Sequence, residues 1–80
     1  MTQEENIKFW LNSCLDDFGT AKAMFTAYRY NYTMFMCQQS LEELLKAIIV
    51  MQTQDQPPFI HDLILLSKKI AFKIPKQIQK

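Results

Sequence analysis

Met34-Phe-Met-Cys-Gln-Gln-Ser-Leu-Glu-Glu-Leu-Leu-Lys-Ala-Ile-Ile-Val-Met51 is the stretch whose reading decides the fold. At helical spacing, Met34, Cys37, Leu41, Leu44, Ile48 and Met51 alternate steps of three and four, which makes one apolar seam. Phe35, Leu45 and Ile49 add a second stripe. Only a narrow strip through Gln39, Glu42, Glu43 and Lys46 is left polar, with Glu42 and Lys46 spaced for an ion pair. A helix this apolar has to be covered on several sides. It is expected to be the central helix of an all-α domain, with Leu41 and Leu44 in the core and Glu43 in water.

Upstream, Thr2 and Glu5 have the spacing of a capping box, and Glu4 adds a favourable charge to the first turn. Ile7, Leu11, Cys14, Phe18, Ala21, Phe25 and Tyr28 then keep one phase, widened by Trp10, Leu15 and Met24. The phase survives Gly19, so the pattern predicts one helix over about 3–29, with a close contact at that glycine. Asn31 reads as its stop and Thr33 as the cap of a second helix over about 33–52. Pro57 and Pro58 enforce a loop. A shorter third helix is expected over about 61–73, opened by Asp62, with Leu63, Leu66 and Ile70 inward and Pro75 at its end. The architecture so described is an up-and-down helical bundle: two long antiparallel helices and a third, in a single domain spanning residues 1–80.

Composition narrows the chemistry. One Gly and three Pro supply too few turns for a sheet sandwich. No apolar run approaches the roughly 20 residues of a membrane span, and the acidic N-terminus is unlike a signal peptide, so a cytoplasmic protein is expected. Eight acids and four bases lie in residues 1–62; five lysines and no acid lie in residues 63–80. Lys68, Lys69 and Lys73 are therefore candidate phosphate contacts, although a solvated helix face and a frayed tail are the simpler reading. One His and two Cys give no metal cluster, and a single Gly gives no phosphate loop; neither metal nor cofactor is expected. Cys14 and Cys37 read as small core hydrophobes. Tyr28, Arg29, Tyr30 and Tyr32 fall at the corner between the long helices, where they suit a half-buried lid or a stacking platform for a base.

The central stretch also carries a family resemblance. Gln39-Ser-Leu-Glu42-Glu-Leu-Leu-Lys46-Ala-Ile, the Pro57-Pro58 loop and His61-Asp62-Leu63, with Trp10, Asp17-Phe18 and Ala21 upstream, resemble the HEPN domain. Glu43 stands where that family usually has Lys, and Ile60 where it has Thr. The resemblance implies a helical bundle, usually with a fourth long helix that this chain stops short of. It further implies a homodimer, often encoded beside a minimal nucleotidyltransferase in prokaryotic toxin–antitoxin or defence pairs. HEPN ribonucleases carry Arg-x4–6-His; here the only Arg and the only His, Arg29 and His61, lie far apart in the chain. A non-catalytic interaction module is thus the leading expectation, with Arg29, Tyr30, Tyr32, Lys46 and His61 as candidate nucleotide or partner contacts. An RNase or nucleotide-binding enzyme domain, or an unspecialised oligomerising helical protein, are the alternatives. His61 itself is expected to bond to backbone of the preceding loop.

Overall fold

The computed structural model describes residues 2–58 and 61–70. Three helices account for 81% of them, with no strand: α1 over Gln3–Thr26, α2 over Tyr30–Thr53 and α3 over Leu63–Lys68. The first two lie antiparallel along their length, and α3 packs on α2. No described helix is long and apolar enough to cross a membrane.

The ends of α1 differ in kind. Thr2 and Glu5 form the expected capping box, each backbone N–H bonded to the other's side-chain oxygen at 3.1 Å. Those bonds from Thr2 hold the Glu5 carboxyl below its ordinary value. At the other end the helix stops at Thr26, not Arg29, because Tyr28 turns into the left-handed region at φ 61°. Arg29 N–H then reaches Met24 O at 2.8 Å and Tyr28 N–H reaches Phe25 O at 3.0 Å. This is a Schellman stop with a tyrosine in the place usually taken by glycine. It leaves only three residues for the corner, so α2 begins at Tyr30 and takes in Asn31, which does not end α1. Thr33 is not a cap either: it lies inside α2 and donates its hydroxyl to Arg29 O at 3.0 Å. α2 closes on Gln54, also left-handed, and α3 opens on Asp62, whose carboxylate accepts from the Ile64 and Leu65 N–H groups. Its six residues end earlier than expected, at Lys68; Lys73 and Pro75 lie outside the described residues.

The register of the long helices is the main correction. The seam through Cys37, Leu41, Leu44 and Met51 does not face α1; these residues are exposed, Leu41 by 44% and Leu44 by 37%. What faces α1 is the line Met36, Ser40, Glu43, Ala47 and Val50, while Glu42 and Lys46, expected in water, are 7% and 6% exposed. On α1 the covered line runs through Asn6, Trp10, Cys14, Asp17 and Ala21, with Leu11, Phe18, Phe25 and Tyr28 exposed. Small side chains explain the choice. Ala21, Ser40 and Ala47 let two backbones approach closely, which Leu and Phe at those positions would prevent. Ser40 Oγ donates to Cys14 O across the seam at 2.8 Å, which leaves its oxygen to accept from the Cys14 thiol at 3.2 Å. Gln3 donates to Val50 O at 3.2 Å near the far end.

Ile49, Leu66 and Ile70 form the apolar core, with Leu45 and Ile48 packed against it, so the inward face expected of the third helix is present. Gly19, by contrast, makes no close contact: a methyl group there would meet nothing within 4 Å. Leu66→Ala is therefore expected to cost about 2–5 kcal/mol, and Gly19→Ala to add about 0.5–1 kcal/mol of stability. Urea unfolding measures both. A Gly19→Ala chain less stable than the parent would contradict the open surface at that position.

Candidate functional site

Polar groups gather where the α1–α2 seam meets the start of α3. Trp10 and Asp17 come from α1, and Glu42, Glu43 and Lys46 from successive turns of α2. Asp17 and Trp10 lie seven residues apart and so share a face of α1; Glu43 occupies the facing line of α2.

Glu43 faces the Asp17 carboxyl across the seam. Burial pushes the Glu43 carboxyl up to about 8, Asp17 adds to the rise by hydrogen bond and charge, and Lys46 opposes it. Glu43 is thus protonated at neutral pH, and its Oε1 is buried with no partner. A second carboxyl facing Glu43 disfavours its charged form, because like charges at close range repel. One turn along, the Lys46 ammonium sits 5.1 Å from the centre of the Trp10 ring. Glu42 points the other way and takes His61 Nδ1 at 3.1 Å, tying the loop before α3 to the middle of α2. That replaces the expected backbone bond of His61, and it also dissolves the expected Glu42–Lys46 pair.

The other sequence candidates are dispersed. Arg29 caps the start of α2 without a side-chain bond to the helix, with Tyr30 and Tyr32 in the turn that follows. Tyr28, Tyr30 and Tyr32 are exposed and form no lid; Tyr30 packs against Phe25 at 5.7 Å and edge-on to Tyr28 at 6.4 Å. Glu42, which marks the position of His61, lies thirteen residues along α2 from Arg29, about 20 Å at 1.5 Å per residue. The structure brings Lys46 and His61 to neighbouring turns of α2 and leaves Arg29, Tyr30 and Tyr32 at the corner. Lys68 and Lys69 are exposed at the end of α3. Cys37 is exposed, contrary to its reading as a core thiol, whereas Cys14 is half-buried. Among the described residues no three His, Cys, Asp or Glu side chains converge to hold a metal ion.

The family model of the HEPN domain matches residues 7–80. The chain belongs to the HEPN domain family. No curated protein and no solved structure matches it. Within the HEPN framework the residues that carried the resemblance include several of the polar seam, namely Trp10, Asp17, Ala21, Glu42, Lys46 and His61, while Glu43 is a departure. The family's usual Lys at position 43 would place an ammonium against Asp17. This member has a carboxyl there, which burial and Asp17 push upward.

Periodicity missed Asp17 and Glu43 as a pair because Glu43 was assigned to water and Asp17 was given no place on the helix face. The signal that finds them is their phase with the small residues, since Asp17 with Ala21 and Glu43 with Ala47 each sit four apart.

The sign of the pH effect follows. A Glu ionises near 4.5 in the unfolded chain and near 8 when folded, so between those values the folded state holds the extra proton. Stability contributed by this group is full below about 4.5 and is lost as pH rises towards 8. Denaturation midpoints measured from pH 5 to 9 are expected to fall for the parent chain and to fall less for Glu43→Gln. Glu43→Lys, which gives Asp17 an opposite charge, is expected to be more stable than the parent at pH 8. Parallel pH profiles for all three proteins would contradict the raised Glu43 carboxyl.

Proposed function

We propose that this chain is a dimerising HEPN interaction module, and that a second copy covers the flank of the α1–α2 hairpin opposite α3. The observation that supports it is where the apolar side chains lie. In two antiparallel helices, residues about 100° beyond the facing line fall on the same side of both. On that side α1 carries Leu11, Phe18 and Phe25, and α2 carries Cys37, Leu44 and Met51, all exposed. Phe18, Phe25, Thr33 and Cys37 line a groove of about 360 Å³ between the helices. A continuous apolar face on so small a protein is characteristic of an interface, and a self-complementary face closes as a two-fold dimer.

The same reading extends to the partner. The family match supports a place beside a minimal nucleotidyltransferase in a prokaryotic toxin–antitoxin or defence pair, with the module binding and not cleaving. The separation of Arg29 from His61 supports the non-catalytic part, since phosphodiester cleavage needs its cation and base at one phosphate.

Sedimentation equilibrium is expected to give a dimer at tens of micromolar. Phe18→Glu and Leu44→Glu are expected to give helical monomers, because both positions are exposed within one chain. A parent chain that stays monomeric and folded at high micromolar concentration would overturn the reading.

A further inference from the structure

Away from the apolar flank, Trp10, Lys46, Gln56, Pro57 and Pro58 enclose a cavity of about 390 Å³. Its construction is unusual in one respect. Lys46 is 6% exposed, yet among the described residues its ammonium has no hydrogen-bond acceptor and no carboxylate within 4 Å. Its one partner is the face of the Trp10 ring. A ring attracts a cation through its quadrupole but accepts no strong hydrogen bond, so the three N–H donors of the ammonium are open to water or to an anion in the cavity. An anion that replaces that water gains an ion pair in a partly enclosed space, where the attraction is stronger than in open solvent. Glu43 competes weakly for the ammonium, because burial pushes that carboxyl up to about 8.

The remaining walls specify what would pair with it. The indole of Trp10 and the pyrrolidine rings of Pro57 and Pro58 are flat and apolar, and Gln56 brings an amide with two donors. The single cation balances one negative charge. We propose that this cavity binds a small monocarboxylate carrying a flat apolar body, with the carboxylate on Lys46 and the body between Trp10 and the two prolines. A phosphate dianion would leave half its charge unpaired, and a neutral ligand would leave Lys46 as it stands. The carboxylate joins α1, α2 and the loop before α3, three segments that otherwise meet here only through side chains.

Trp10 is the sole tryptophan of the chain, so its indole N–H resonance and its emission both report on the cavity. The full chain is titrated with phenylacetate, with the neutral isostere phenylacetamide and with phenyl phosphate. A saturable shift of the indole resonance with phenylacetate is expected, with phenylacetamide and phenyl phosphate each at least about tenfold weaker. Lys46→Met is expected to abolish the response and Lys46→Arg to retain it. Should Lys46→Met fail to fold, the three-probe comparison on the parent chain decides alone. Absence of a saturable shift with phenylacetate, an equal response to phenylacetamide, or tighter binding of phenyl phosphate would each overturn the proposal.

Discussion

Ser40 donating to the Cys14 carbonyl fixes how closely α1 and α2 approach, and most else in the molecule follows from that distance. A side-chain hydroxyl reaching a main-chain carbonyl of the neighbouring helix requires small residues around it, and Ala21 and Ala47 supply them. Once the seam is given to small and polar groups, the large apolar side chains must lie on its flanks. One flank of α2 receives α3 through Ile49, Leu66 and Ile70. The other is left to Phe18, Phe25, Leu44 and Met51. The same narrow seam brings Asp17 and Lys46 against Glu43, and burial with the facing Asp17 raises the Glu43 carboxyl while Lys46 opposes the rise.

Much of the fold could be read from the sequence, and for identifiable reasons. The capping box at Thr2, the Asp62 cap and the Pro57-Pro58 loop are local devices whose physics is contained in a few adjacent residues. Two long helices followed from uninterrupted 3.6-residue periodicity. The helix that ends at Thr26 was harder, because a tyrosine at φ 61° is not a residue from which a left-handed stop is inferred.

Register was misread for a deeper reason. A stripe such as Cys37, Leu41 and Leu44 says that a face is apolar; it does not say whether the same chain or another covers it. Buried Glu42 and Lys46 looked like surface because charge is usually surface. Their burial becomes intelligible only with tertiary partners, His61 for one and the Trp10 ring for the other. The periodic reading put Glu42 and Lys46 in water, and the structure buries both.

The two ends of the hairpin are fastened unequally. Near Gln3 and Val50 there is a capping box, a side-chain bridge between helices and a left-handed cap on α2. Around Tyr28 there is an aromatic cluster in solvent, and α2 starts with neither a side-chain cap nor an acidic residue in its first turn. Transient opening should therefore be graded along α2. Amide hydrogens of its first turns would trade with deuterium soonest, and those around Ala47 and Val50 last, so that one helix spans the range from near-labile to core-like. Uniform exchange along α2 would refute this gradient. A hinge of that kind lets Tyr30 and Tyr32 move while the polar seam, about four turns away at Glu43 and Lys46, keeps its geometry.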